Sequence, residues 1–320
     1  MKKFQIRMGL TVLILALLLV PARAATLLVP VGRTIGLRLS TRGVTVAEFQ
    51  KEGTCPGREA GLQVGDVILR VGDRDIGSAR ELQEALGDCG GAAELTLRRK
   101  GREHKVQVAL EPGNSRLGVY VREGVTGIGT VTYYDPETGR FGALGHGVSS
   151  GDGELVEMRG GQALSSRVVE VKRGQAGTPG QLRGAFSDGQ TLGELTANTA
   201  RGLFGQCEQP FPGEPMPAAE QDEIHTGKAE ILSNVSGTAV RRYEVEILRL
   251  YPEDKAQGRN ILLRVTDGDL IAQTGGIVQG MSGSPILQDG RLVGAVTHVL
   301  VNDPTTGYGI FIENMLSAAA

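Results

Sequence analysis

Three residues in this chain, His146, Asp267 and Ser282, have the side chains needed for hydrolysis through a serine nucleophile. A serine hydroxyl is weakly nucleophilic at neutral pH, so it needs a nearby base and a group that orients that base. Backbone N–H groups must also face the oxyanion that forms on the substrate. Ser282 lies in the turn Gly-Met-Ser-Gly-Ser-Pro at 280–285, where the N–H groups of Gly280 and Ser282 can point into one pocket. A plain glycine-serine hairpin turn is the alternative interpretation.

The four histidines differ in how well their surroundings suit a catalytic base. His146 stands in Phe-Gly-Ala-Leu-Gly-His-Gly, a strand that runs into a glycine-flanked turn, where an imidazole can face a pocket. His104 lies in a predicted hairpin, and His225 follows acidic residues on a loop edge. His298 interrupts a strand that is apolar enough to be buried. We therefore assign the base to His146 and expect a structural or supporting role for His298.

The acid and the nucleophile each have a rival nearby in the sequence. Asp267 and Asp269 both follow the predicted strand 261–265, and Asp267 is favoured because it is the first acid after that strand. Its alternative role is that of a turn-forming residue. Ser284 is a second hydroxyl in the turn, but the segment resembles the G-x-S-G-x-P turn of trypsin-like serine peptidases, which places the nucleophile at Ser282. The chain order His, Asp, Ser is also found in those enzymes.

The length and composition of the chain indicate the kind of fold that positions these residues. The 320 residues suggest two domains, at about 150 residues per domain. The chain has 48 glycines, no tryptophan and many short alternating apolar segments, which favours a mainly β fold rich in turns. Its net charge is -2, so no strong field attracts nucleic acid, and we predict no nucleic-acid partner.

Residues 31–112 are predicted to form one compact unit. Its clearest segment is Gly-Arg-Glu-Ala-Gly-Leu-Gln-Val-Gly-Asp-Val-Ile-Leu-Arg-Val at 57–71, which resembles a PDZ domain. A hairpin is expected around the turn at 41–43, and Ser78 with Glu81 forms a capping box that begins a helix.

The resemblance to PDZ domains implies a groove in which an extended peptide adds as a strand and its terminal carboxylate meets backbone N–H groups. Ile35, Gly36 and Leu37 stand where the carboxylate-binding loop of that family would be. The peptide ligand could belong to the protein's own chain. The alternative is a PDZ-shaped unit that packs on its neighbour and binds no peptide.

The second domain, predicted at 116–318, contains short β segments separated by glycine-rich turns. Prolines within 198–222 remove backbone donors and indicate a long surface loop. The resemblance of the Ser282 turn to trypsin-like peptidases implies a double β-barrel for this domain. The sequence has no metal-ligand cluster, phosphate loop or nucleotide motif, so we predict no metal and no other cofactor.

The N-terminus carries the features of an export signal. Three basic residues among the first seven precede the apolar segment Met8–Val20, and Ala-Arg-Ala follows at 22–24. We predict that residues 1–25 are a signal peptide or a membrane anchor, and the short apolar run favours the signal peptide. The rest of the chain is then expected to lie across the membrane from the compartment of synthesis.

Longer motifs extend these resemblances to one family. Gly-Ala-Leu-Gly-His-Gly at 142–147, Thr-Gly-Gly-Ile-Val-Gln-Gly-Met-Ser-Gly-Ser-Pro-Ile at 274–286 and Gly-Ala-Val-Thr-His-Val at 294–299 resemble the stage IV sporulation protein B peptidases of endospore-forming Firmicutes. The resemblance covers nearly the whole chain, including the export segment, the PDZ unit and the peptidase domain.

This family resemblance implies an exported serine endopeptidase with His146, Asp267 and Ser282 as its catalytic residues. Relatives are exported across the forespore membrane into the intermembrane space, and the N-terminal segment here implies membrane association. They cleave themselves and a regulatory subunit of the intramembrane metalloprotease that processes a pro-sigma factor, which releases a sporulation checkpoint. Two other functions stay open: a non-catalytic PDZ-type binding protein, and a general envelope quality-control protease, although that type places its protease before the PDZ domain.

Overall fold

The computed structural model describes residues 25–319 except 112, 114, 152 and 255–257, and at 187–189 it describes the backbone only. The predicted export segment before residue 25 therefore lies outside the described residues. Within them, no helix has both the length and the apolar character needed to cross a bilayer.

Strands dominate the described chain, and four short α-helices lie between them. The strands are β1 (Leu27–Pro30), β2 (Thr34–Phe49), β3 (Val67–Val71), β4 (Arg74–Asp75), β5 (Ala92–Arg99), β6 (Arg102–Ala109), β7 (Val119–Tyr134), β8 (Arg140–Ala143), β9 (Met158–Lys172), β10 (Gln181–Thr199), β11 (Gly202–Cys207), β12 (Met216–Pro217), β13 (Gly227–Ser233), β14 (Arg241–Leu250), β15 (Ile261–Val265), β16 (Pro285–Gln288), β17 (Arg291–Leu300) and β18 (Asp303–Phe311). The helices are α1 (Pro56–Glu59), α2 (Ala79–Gly87), α3 (Gly268–Thr274) and α4 (Ile312–Ala319).

Two closed rings of six strands form the larger part of the fold. The first ring has the order β7-β8-β11-β10-β9-β2, and it closes because β2 also pairs with β7. The second ring has the order β13-β14-β15-β18-β17-β16. Each encloses its own apolar core, with Ile35 and Phe141 in the first and Ile231 and Leu263 in the second. The predicted double β-barrel is therefore confirmed.

The PDZ unit extends from the first barrel through the strand order β2-β3-β5-β6. Its helix α2 begins where the capping residues predict, because Ser78 Oγ accepts a hydrogen bond from Glu81 N at 3.1 Å. The Glu81 carboxylate in turn accepts one from Gly77 N at 2.6 Å. Leu82 and Leu86 of α2 are buried against the sheet, so the apolar face of the helix supplies the core of this unit.

Strand β2 corrects one expectation about peptide binding. Residues 34–49 form a single strand with a bulge between Leu39 and Val44, where the sequence suggested a hairpin. Ile35 pairs with Gly129 of β7 on one side and with Ser165 of β9 on the other.

The predicted carboxylate loop at Ile35, Gly36 and Leu37 is therefore wrong. Both edges of β2 are already paired at these residues, and the side chains of Ile35 and Leu37 are buried in the first barrel. A strand with two paired edges has no free N–H groups for a ligand carboxylate.

The proline-rich segment is more structured than predicted. Residues up to Cys207 belong to β10 and β11, and Met216–Pro217 forms β12, which pairs with β1. Phe211 is buried between them, where its ring contacts Tyr134 and Phe141 with centroid separations of 6.1 Å. The loop prediction therefore holds only for the connection between β11 and β12 and for the residues that follow Pro217.

Candidate active site

A cavity of 830 Å³ lies between the two barrels and contains two of the three predicted catalytic residues. His146 lines it from the turn that follows β8 in the first barrel. Ser282 lines it from the turn that precedes β16 in the second barrel. The fold thus brings an imidazole and a hydroxyl to one surface although 136 positions separate them in the sequence.

His146 reaches the cavity through a tight turn. Leu144 and Gly145 both have a φ of +69°, which glycine adopts easily and leucine rarely. Gly145 also packs on the second barrel, where an added Cβ would lie 2.8 Å from Thr297 Cγ2. The glycine beside the histidine therefore allows both the turn and the close approach of the two barrels.

The surroundings of His146 suit a general base. Its Nδ1 lies 2.9 Å from the Gly147 carbonyl oxygen. A carbonyl can only accept, so this contact assigns the proton to Nδ1 and leaves a lone pair on Nε2. Burial lowers the pKa of His146, and the Gly147 carbonyl opposes this with a smaller effect. The ring is therefore neutral at pH 7, which is the state a base requires.

Ser282 is held on both sides by backbone hydrogen bonds. Gly283 N donates to Val296 O at 2.7 Å, and Thr130 N donates to Ser282 O at 3.0 Å. The Ser282 hydroxyl itself donates to Thr297 O at 2.8 Å.

The same turn offers the N–H groups that the predicted oxyanion hole needs. Among the described residues, neither Gly280 N nor Ser282 N has a hydrogen-bond acceptor. Gly280 has a φ of +101°, and its carbonyl accepts a hydrogen bond from Thr130 Oγ1 at 2.8 Å. The Gln279 carbonyl, which shares a peptide plane with Gly280 N, accepts a hydrogen bond from Leu182 N at 2.8 Å, and this bond fixes the direction of the Gly280 N–H. Both residues line the cavity. Two unpaired N–H groups beside the hydroxyl can stabilise a developing oxyanion.

Ser284, the rival nucleophile, is placed where it cannot attack a substrate. It is fully buried, and its Oγ has no hydrogen-bond partner among the residues that the structure describes. It is also not among the residues that line the cavity. The preference for Ser282 over Ser284 thus agrees with the exposure of the two hydroxyls.

Asp267 is not brought to His146, which corrects the expectation of a three-residue set. It is the N-cap of α3, where its Oδ1 accepts a hydrogen bond from Leu270 N at 2.9 Å and its Oδ2 accepts one from Glu244 N at 3.3 Å. Asp269 is exposed in the first turn of that helix. None of the described residues that line the cavity is an aspartate or a glutamate. The turn-forming alternative for Asp267 is therefore the one that the structure supports.

The remaining histidines divide into two outside the site and one inside it. His104 pairs with Leu97 in the β5–β6 hairpin, and the exposed His225 contacts Asp289 at 2.7 Å. His298 lines the cavity, and its ring centroid lies 5.3 Å from that of His146 at an interplanar angle of 39°. The apolar pattern of its strand suggested burial, with a structural or supporting role for this histidine. Its motif, Gly-Ala-Val-Thr-His-Val at 294–299, follows the Ser282 turn closely in the sequence. This position was the sequence signal that could have placed His298 in the active site.

A histidine on one barrel and a serine on the other, facing one cavity, define a serine protease. The chain belongs to the SpoIVB peptidase family, because the sequence model described as SpoIVB peptidase S55 matches residues 113–316. A PDZ domain model matches residues 34–110. Residues 34–41 of that match lie in the first barrel as well, since β2 is common to both units.

Three solved structures of one protein show similarity to this chain. The inactive form of the Rv3671c protease of M. tuberculosis has 15% identity and a TM-score of 0.33, over 61% of this chain and 85% of that chain. A serine-to-alanine mutant of that protein in its inactive form has 14% identity and a TM-score of 0.35, over 61% of this chain and 82% of that chain. The active form has 16% identity and a TM-score of 0.32, over 62% of this chain and 73% of that chain. Comparison with curated proteins finds no match.

Proposed function

We propose that this protein is an exported serine endopeptidase that cleaves itself and a regulatory subunit of the intramembrane metalloprotease that processes a pro-sigma factor. The observation that carries the proposal is the placement of His146 and Ser282 on one cavity in a chain of the SpoIVB peptidase family. The family membership supports the substrate class, and the geometry supports the chemistry.

In the proposed reaction, the Ser282 hydroxyl leaves Thr297 O and attacks the scissile carbonyl carbon. Its proton passes to His146 Nε2, the ring nitrogen left free by the Nδ1 contact with Gly147 O. The carbonyl oxygen becomes negative and accepts hydrogen bonds from the N–H groups of Gly280 and Ser282.

Collapse of this intermediate breaks the peptide bond and forms an acyl-enzyme on Ser282. His146 gives its proton to the leaving amine. A water molecule then attacks the ester, again losing a proton to His146, and the Ser282 hydroxyl is restored. Each proton taken by His146 is returned, so the cycle requires no cofactor.

The cavity indicates how a substrate is held. Its lining is mainly aliphatic, so it suits an extended protein segment with apolar side chains. The lining residues from the two sides include Leu37, Leu39, Ile128, Ile277, Val278 and Val299. A folded substrate would have to present such a segment in an exposed loop.

The chemistry is tested by labelling the purified protein with a fluorophosphonate. Ser282→Ala should abolish labelling and self-cleavage. Ser284→Ala is the matched control, because it removes the same atom from the same turn and should leave the labelling rate within about threefold. Undiminished labelling of Ser282→Ala would contradict the assignment.

The proposed biological role needs a second experiment. The purified protease should cleave the regulatory subunit at one or a few positions, while unfolded casein should be a poor substrate. Rapid cleavage of casein at many sites would instead favour a general envelope quality-control protease.

The proposed location, exported from the forespore into the intermembrane space, rests on the N-terminal sequence. N-terminal sequencing of the protein from sporulating cells tests it. A new terminus near residue 25 indicates removal of a signal peptide, and an intact Met1 in a membrane fraction indicates an anchor. A full-length chain in the forespore cytoplasm would refute export.

A further inference from the structure

Among the described residues that line the cavity, no carboxylate accompanies the base. In a Ser-His-Asp enzyme, the acid fixes the tautomer of the imidazole and stabilises the imidazolium that forms during the reaction. Here the Gly147 carbonyl fixes the tautomer of His146, and Asp267 is engaged at a helix terminus. A peptide carbonyl carries no net charge, so stabilisation of the imidazolium needs a second contributor.

Among the described residues, the His298 ring packs on His146. The two centroids are 5.3 Å apart and the planes are inclined by 39°. His298 Nδ1 is buried and has no hydrogen-bond partner in the part of the chain that the structure describes, so no polar contact there accounts for the placement of the ring. A buried polar atom without a hydrogen-bond partner costs free energy, so its placement in the active-site cavity calls for a functional explanation.

The backbone of His298 is firmly held relative to the nucleophile. His298 pairs with Tyr308 across the β17–β18 ladder. Its neighbour Thr297 provides the carbonyl that accepts the Ser282 hydroxyl at 2.8 Å. One strand therefore sets the position of the nucleophile and of the ring that packs on the base.

The charge state of His298 suits contact with a cation. Burial, followed by the charges of His146 and Arg259, lowers its pKa to about 4. The titratable groups that face it are His146 and Arg259, with Tyr308 beside it in the ladder. A neutral ring face attracts a positive charge, whereas a second imidazolium would repel it.

We propose that His298 is a positioning residue for the base: its neutral ring packs on His146, holds that imidazole toward Ser282 and stabilises the imidazolium formed in each half-reaction. His298 itself neither takes nor gives a proton. The inference rests on the proposed protease function, because it requires His146 to act as the base.

Three substitutions distinguish the effect of the aromatic ring of His298 from the effect of its two nitrogen atoms. His298→Phe keeps an aromatic face and removes both nitrogens. His298→Ala removes the ring. His298→Asn keeps a polar atom near Nδ1 without a ring. Each variant is made in the whole chain, and its urea unfolding curve is measured first, so that only folded proteins are compared.

The readout is the second-order rate of fluorophosphonate labelling between pH 5 and pH 8, together with kcat/KM for a peptide substrate. We expect His298→Phe to stay within about threefold of the unsubstituted protein at pH 7, and His298→Ala and His298→Asn to lose about tenfold or more. The acidic limb of the profile should move to lower pH in the Ala and Asn variants, because they remove the ring face that stabilises the imidazolium of His146, and it should stay in place in the Phe variant.

Several results would overturn the proposal. These are full activity of His298→Ala, equal losses in the Phe and Ala variants, or rescue by Asn and not by Phe. If no His298 variant folds, NMR of the Ser282→Ala protein tests instead whether the two histidine rings are in contact. Contacts between the ring protons of His146 and His298 support the proposal, and their absence refutes it. Failure of the unsubstituted protein to label would instead reject the protease function.

Discussion

His146 and His298 come from different barrels, yet their rings pack with centroids 5.3 Å apart. His146 lies in the turn after Ala143, the last residue of β8 in the first barrel, and His298 lies within β17 of the second barrel. This ring contact therefore connects the two barrels at His146, the proposed catalytic base. Its geometry depends on the relative placement of the barrels, so whatever shifts one barrel against the other also displaces the base.

The pKa of His146 predicts the lower pH limit of activity. Burial lowers this pKa from the ordinary value of 6.5, so the ring keeps its lone pair at pH values where a solvated histidine is protonated. The acidic midpoint of kcat/KM should therefore lie below pH 6.5. A midpoint above pH 6.5 would show that a negative charge or hydrogen bond stabilises the His146 imidazolium by more than burial destabilises it.

Stability should also depend on pH through the buried imidazoles. The pKa values of His146 and His298 are lowered in the folded protein, the latter to about 4, so the unfolded chain binds more protons between these values and 6.5. The free energy of unfolding is then highest above pH 6.5 and falls as the pH drops toward 4. Urea unfolding at a series of pH values measures this.

The matched control for this dependence is His298→Phe, which removes one of the two titrations and should give a shallower fall. His225 acts in the opposite direction, because the Thr226 carbonyl and Asp289 raise its pKa. His225 is present in both proteins, so the difference between their curves of unfolding free energy against pH reports the titration of His298 alone. An identical slope in both proteins would contradict the burial of this imidazole in the neutral form.

Asp267 should affect stability and not the chemical step. Asp267→Ala removes the N-cap of α3 and should cost about 0.5–2 kcal/mol of unfolding free energy. Asp267→Asn keeps a capping oxygen and should cost less. The labelling rate of folded protein should stay within about threefold, whereas loss of a catalytic acid lowers kcat by about ten-thousandfold. A loss of that size in Asp267→Asn would restore Asp267 as the acid.

Gly283 should be intolerant of any side chain. Its φ is +96°, and an added Cβ would lie 2.0 Å from Thr130 O and 2.5 Å from Leu144 N, both backbone atoms. Gly290 is the matched control, with a φ of +74° and nothing within 4 Å of the added atom. Gly290→Ala should cost about 1–2 kcal/mol for the left-handed backbone alone.

Gly283→Ala should cost several kcal/mol more than this control, because the barrels must separate, and it should lose labelling even where it folds. Thermal unfolding and fluorophosphonate labelling measure the two effects. Equal stability of the two variants would mean that the turn can relax away from Thr130.

Local patterns in the sequence predicted the parts of the fold that depend on neighbouring residues. The helix after Ser78 follows from its capping residues and apolar spacing, and the glycine turn around Ser282 follows from its own residue types. These features involve contacts over a few positions, so the sequence contains all of their determinants.

The errors concern contacts between distant residues. Alternation at Ile35 and Leu37 correctly indicated a strand, but its partners in β7 and β9 lie about a hundred residues or more away and no local pattern encodes them. The same limit applies to Asp267, whose position after a strand suits an N-cap as well as an active site. The contact of His298 with His146 depends on the packing of two barrels and was equally inaccessible.

The continuity of β2 and β7 limits how the PDZ unit can respond to a ligand. Both strands run from that unit into the first barrel, and they pair with each other from Thr34 and Thr130 at one end to Phe49 and Val119 at the other, with bulges between Leu39 and Val44 and between Val46 and Glu48. A slip of one residue would turn every side chain to the opposite face, so burial fixes the register of the two strands. A displacement of the PDZ unit would therefore be passed along β7 to Thr130, whose N–H donates to Ser282 O at 3.0 Å.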